Sequence, residues 1–140
     1  MTTVLTMLRQ AATLGTMSTT LATPDIAEYV AAARARQAAQ RTALEVRRLH
    51  AITIAHQAAT ALRTSFGATS VVLFGSALRP GAFHERSDID LAAWGLTGKA
   101  YWAALAVLED LDPTLGIDLV RAEVARPSLV SFIETEGIAL

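Results

Sequence analysis

The sequence contains no cysteine in its 140 residues. Disulfides and thiolate metal sites are therefore excluded, an absence compatible with the cytoplasm, which is the expected location. No run of ~18 apolar, uncharged residues occurs, so no membrane span is expected. Aromatics make up only 6% of the chain. The alanine-rich, arginine-bearing segment from Arg34 to Arg48 thus offers no base-stacking surface, and a net charge of −1 gives no general pull toward nucleic acid. No Walker-type phosphate loop is present, which excludes a P-loop ATPase. Proline and glycine are both missing from residues 25 to 66, so nothing there breaks a helix.

What is present is a single-domain length with 52% hydrophobic residues, many of them alanine. Charge is unevenly spread. Between residues 30 and 65, Arg34, Arg36, Arg41, Arg47, Arg48 and Arg63 face only Glu45 as an acid. From Glu85 to Asp118 the acids dominate, with Asp88, Asp90, Glu109, Asp110 and Asp112 between them.

Residues 1–22 are rich in Thr and Met and hold no acid, with Arg9 as the sole base. A transit-type leader is one reading. The lack of an apolar core and cleavage site favours a flexible tail, and Met17 is an alternative start to Met1. Thr23-Pro24-Asp25 opens a long helical region over 23–66, in which Thr23 caps and Asp25 and Glu28 complement the helix dipole. Val46, Leu49, Ile52, Ala59, Leu62 and Phe66 recur at helical spacing and are expected to face a sheet. The Ala/Arg-rich first half has little to bury and is expected to project or bend, either as a partner surface or as a solvated helix.

Residues 67–140 read as the core domain, together with the second half of that helix. Strands are expected over 69–74, 87–94 and 115–120, with a helix over 99–111. The inner face of that helix is read as Trp102, Leu105, Ala106 and Leu108, with Tyr101. A last helix opens at Arg126-Pro127-Ser128, faces inward with Leu129, Phe132 and Ile133, and ends at Gly137. The fold class is α/β (α+β): a small mixed sheet backed by helices, with a long N-terminal helix.

The chemistry concentrates in two stretches. Val71-Val72-Leu73-Phe74 is a buried strand that stops in a Gly75-Ser76 turn. Ser87-Asp88-Ile89-Asp90-Leu91 alternates, so Ile89 and Leu91 face one side and Asp88 and Asp90 the other. Carboxylates this close each raise the cost of ionising the other, and a hard cation such as Mg²⁺ relieves it. An isolated Asp-x-Asp is otherwise a solvated strand face. His50 and His56, six residues apart, lack the spacing of a helical metal pair and read as surface residues. His84 is a candidate base contact. Trp94 is a candidate adenine stack or, in the simpler reading, core.

Gly75-Ser76, a linker and Asp88-Ile89-Asp90 together resemble the signature of polymerase-β-like nucleotidyltransferases. The closest resemblance is to the minimal nucleotidyltransferases, antitoxin partners of HEPN-type ribonuclease toxins. Phe74-Gly75-Ser76-Ala77-Leu78-Arg79-Pro80-Gly81 is similar to that family's opening, with Arg79 at its arginine position. It departs at Leu78 and at the inserted Pro80, which leaves eleven residues between Ser76 and Asp88, one more than usual. Asp118, within Gly116-Ile117-Asp118-Leu119-Val120, matches the third carboxylate. The resemblance covers roughly residues 62–120.

It implies an α/β nucleotidyltransferase fold with Asp88, Asp90 and Asp118 as catalytic residues and ligands of one or two Mg²⁺. Asp118 would also be the general base. Gly75, Ser76 and Arg79 would bind the nucleotide, with ATP as donor. The implied acceptor is a tyrosine hydroxyl on a HEPN toxin, held in a hetero-oligomer and silenced by AMP. Two alternatives stand beside it: an antitoxin that only masks its toxin, and a transferase for a small-molecule acceptor.

Overall fold

The computed structural model describes residues 25–140, so the expectations for the tail, the start at Met17, and the Thr23 and Pro24 cap lie outside the described residues. Among the described residues no helix is long and apolar enough to cross a membrane. Helix α1 runs Ile26–Ser65, as the lack of proline and glycine requires. The chain divides into two compact units at Ala39/Gln40. In the first, residues 25–39 are helical and almost wholly exposed, Ile26, Tyr29 and Val30 included.

The second unit, Gln40–Leu140, contains the remainder of α1 and everything after it. Strand β1 is Ser70–Phe74, and a 3₁₀ turn follows at Ser76–Leu78. Strand β2 is Ile89–Trp94, helix α2 Gly98–Glu109 and strand β3 Ile117–Arg121. A second short 3₁₀ turn leads to helix α3, Pro127–Glu136, and to a two-residue strand β4, Ile138–Ala139. The sheet order is β3-β2-β1-β4. Strand β1 is antiparallel to both β2 and β4, and β2 is parallel to β3, which makes the sheet mixed as expected.

The two-residue period sorts the side chains. Val71, Leu73, Ile89, Leu91, Ala93 and Leu119 join the larger core with α1 and α2. Phe74 and Ala92 join Ile133, Val72, Trp94, Val120 and Leu129 in a smaller core under α3. Strand β2 is covered on both sides, and Leu91, Ala92 and Ala93 are fully buried. Helix α2 starts where the Thr97 hydroxyl accepts the Ala100 amide at 3.1 Å.

Three face assignments change. On α1 the buried residues are Ala51, Ile54, Ala55, Ala58, Ala59 and Leu62. Val46 and Leu49, expected inside, are 62% and 53% exposed. The inner stripe is mostly methyl groups, which carry little hydrophobic signal but let a helix lie close to a sheet. On α2 only Ala104 and Leu108 are buried, with Tyr101 and Leu105 packed at the margin. Trp102 is 71% exposed and meets Tyr101 edge-to-face, centroids 5.2 Å apart, and Ala106 is exposed as well. On α3, Ile133 is buried and Leu129 half-buried, while Phe132 faces outward. Strand β4 had no signal in the sequence: two residues after Gly137 are too few to show alternation.

The methyl-lined contact makes a contrast. Ala55→Leu is expected to overpack the helix–sheet seam and cost about 1–3 kcal/mol. Leu49→Ser, a larger change in hydropathy, is expected to stay within about 0.5 kcal/mol. Urea unfolding of both variants checks this, and the reverse order would put α1 on its other face.

Candidate active site

The sheet register brings the acids together. Asp90 pairs with Asp118 across the parallel β2–β3 ladder, and Phe74 pairs with Asp90 across β1–β2. Adjacent strands lie ~4.8 Å apart, and register partners in a parallel pair point to the same face. By parity with Ala92 and Val120 that is the α3 face. Asp88 lies just before β2, which starts at Ile89 rather than at Ser87. Its position is fixed by flanking bonds: the Ile89 amide donates to Gly116 O at 2.8 Å, and the Ser87 amide to His84 O at 3.0 Å. Ser87 is buried and its hydroxyl accepts the His84 amide at 2.9 Å.

Two glycines stand against these carboxylates. Gly75 follows β1 with φ +83° and caps the 3₁₀ turn. A Cβ there would run into the Asp90 carboxylate. Gly116 precedes β3, and a Cβ there would stand 2.7 Å from Asp88 Oδ1. Each carboxylate thus lies over a backbone stretch that only glycine leaves open. Ser76 begins the turn beside Gly75, half-buried, and Arg79 ends it, exposed, its amide donating to Ser76 O at 3.1 Å.

The Asp90 carboxyl is pushed up to about 6 from an ordinary 3.8. Burial is the main cause, and the negative charges of Asp118 and then Asp88 add to it. Asp90 therefore lies within electrostatic reach of both Asp118 and Asp88. Among the described residues no three His, Asp or Glu side chains form a ready-made metal cage.

Other candidates fall outside this group. His84 Nδ1 accepts the Arg86 amide at 3.1 Å, inside its own turn. Trp94 pairs with Ser70 at the opposite end of β2 from Asp90 and packs in the smaller core. His50 Nε2 meets Asp112 Oδ2 at 2.6 Å, a surface pairing as its exposure implies. Sequence reasoning missed the contacts behind the site. Arg48 of α1 donates to Ala77 O at 2.8 Å and pairs with Glu45, while Arg47 donates to Glu85 O and Thr114 O. Arg47 and Arg48, at the end of the arginine-bearing segment, are thus spent on the chain's own loops.

No family model and no curated protein matches this sequence. Solved structures do. One chain of the toxin-antitoxin MntA-HpeT, in a mutant form, matches with 24% identity and a TM-score of 0.50, over 60% of this chain and 69% of that one. A toxin-antitoxin structure with AMP-PNP matches with 28% identity and a TM-score of 0.49, over 57% of this chain and 66% of that one. The likeness to the first is one of fold.

The raised Asp90 has a definite consequence for stability. Between about pH 4 and 6 the folded state holds a proton that the unfolded state has released. The contribution of Asp90 to the fold is therefore full below about pH 4 and lost as the pH rises through 6. In metal-free buffer, Asp90→Asn is expected to stabilise the protein at pH 7.5 by about 1–2 kcal/mol, allowing for the partial exposure of the group. Thermal unfolding should show no gain at pH 4. Equal gains at both pH values would mean that the cost of ionising the half-buried Asp90 is not the cause.

Proposed function

We propose that this chain is an Mg²⁺-dependent nucleotidyltransferase acting as an antitoxin, moving AMP from ATP to a tyrosine hydroxyl of a HEPN-type ribonuclease partner. The observation that carries the reading is the register match of Asp90 with Asp118, with Asp88 beside them and Gly75-Ser76 at the end of the neighbouring strand. The shared fold with a chain of the toxin-antitoxin MntA-HpeT supports it. A half-buried Asp90 crowded by two further carboxylates costs stability, and a site for a cation explains it.

The donor set fits magnesium: carboxylate oxygens, with no sulfur and no histidine in the group. Mg²⁺ usually takes one or two carboxylates and fills its remaining positions with water and substrate phosphate. Asp88 and Asp90 suit an ion that arrives with the triphosphate, which is why a complete protein cage is not required. When bound, the metal neutralises phosphate charge and polarises the phosphorus–oxygen bond to be broken.

The residues of the chain do the rest. Gly75 lets the backbone approach the phosphates, and Ser76 offers a hydroxyl and an amide to the β and γ groups. Arg79, at the exposed end of the turn, pairs with phosphate or with an acid on the partner. Asp118 accepts the proton of the incoming hydroxyl. The hydroxyl oxygen bonds to the α-phosphorus, the bond to the bridging oxygen breaks, and pyrophosphate leaves with that electron pair.

One observation favours a second reading, neutralisation by coverage alone. Val46 and Leu49, one turn apart on α1, leave apolar surface open within the same unit. Intact mass measurement separates the two. With ATP, Mg²⁺ and the product of the adjacent gene, that product is expected to gain mass in whole AMP steps, and Asp88→Asn/Asp90→Asn to abolish the gain. A stable complex with no mass gain would establish the masking antitoxin instead.

A further inference from the structure

Helix α1 contributes nothing to the carboxylate face, yet it reaches the two loops that deliver the carboxylates. The Arg47 Nη2 donates to Thr114 O at 2.8 Å and to Glu85 O at 3.3 Å. Glu85 is three residues before Asp88, inside the turn closed by the Ser87–His84 bonds. Thr114 is four residues before Asp118. Its amide and hydroxyl both donate to Asp112 Oδ1, at 2.7 and 2.6 Å, so its carbonyl is held in a rigid turn as well. One nitrogen therefore ties together two separately closed turns.

The same helix face adds two further grips. His50, one helical turn after Arg47, holds the other oxygen of Asp112 at 2.6 Å. Arg48 holds Ala77 O in the 3₁₀ turn that follows Gly75. Glu45 holds one edge of the Arg48 guanidinium with both carboxylate oxygens, at 2.9 and 2.7 Å. The ladder itself fixes Asp90 against Asp118. Its first bond, from the Ile89 amide to Gly116 O, holds the residue after Asp88 at the entry of β3, and the Arg47 bridge spans the two turns that run into that bond.

We infer that Arg47 is a positioning residue of the site: by bridging the Glu85 and Thr114 carbonyls it braces from behind the turns that lead into Asp88 and into β3, and so supports the affinity for the metal–nucleotide complex. The inference rests on the reading of these aspartates as the metal-binding group. Groups that orient metal ligands from behind typically account for 10–100-fold in affinity or activity when removed. A bridge between charged nitrogen and backbone carbonyls, rather than a direct contact with an aspartate, places Arg47 near the low end of that range.

The test is titration of the full chain with Mn²⁺ and a non-hydrolysable ATP analogue, followed by calorimetry, with thermal unfolding measured in parallel. Arg47→Ala is expected to weaken binding roughly tenfold. Arg47→Lys is expected to recover part of the loss, since an ammonium can still donate to both carbonyls. Leu62→Ala, which opens the core far from these loops, serves as the control: it should lower the melting temperature at least as much and leave the affinity of the folded protein unchanged. If wild type binds and Arg47→Ala binds equally well, the inference fails and the site reading stands. If Leu62→Ala weakens binding as much as Arg47→Ala does, the effect is general loosening and the inference also fails. If wild type does not bind at all, the site reading itself falls, and this inference with it.

Discussion

The structure depends on a conflict between hydrophobic burial and charge at one end of a four-stranded sheet. Strand β2 is the most buried element, closed on both faces, and such strands are ordinarily apolar throughout. Here it carries Asp90 in its second position, against the backbone of Gly75 and beside Asp118. The ladder that completes the core is the same ladder that crowds the acids. A protein selected for stability alone would place an apolar residue there.

The alanine seam of α1 serves that arrangement from the other side. Ala51, Ala55 and Ala58 lie buried in the larger core, and arginines at the preceding turn reach backbone carbonyls beyond the strand ends. Longer side chains in the seam would lift the helix and its arginines together. Core packing on one face and loop geometry at the end of the other are thus parts of one mechanical arrangement. The packing fixes a distance, and the distance decides what the arginines touch.

Much of this was legible from residues alone. The strand–Gly-Ser–strand sequence and the Asp-x-Asp alternation are local patterns with a two-residue period, and the strands appear within two residues of their expected bounds. The placement of Asp118 beside Asp90 was legible only through resemblance, because register across a parallel pair is not written in either strand. The inner face of α1 was misread because Val46 and Leu49 outweigh alanines in any hydropathy count. Trp102 was misread for the same reason on α2. The grip of Arg47 and Arg48 was invisible: the acceptors are carbonyls 29 to 67 positions away, and a carbonyl has no sequence signature.

The β2–β3 pairing has one more consequence. In this strand pair, sliding β3 by a single residue exchanges its two faces. Leu119 would leave the larger core and Asp118 would enter it, an unpaired carboxylate among Leu91, Ile89 and Leu108. Such misaligned states are penalised far more heavily than the repulsion tolerated at the native alignment. The same acid that makes the native sheet less stable makes every neighbouring alignment less stable still, so the charge that weakens the fold is also what makes it unique.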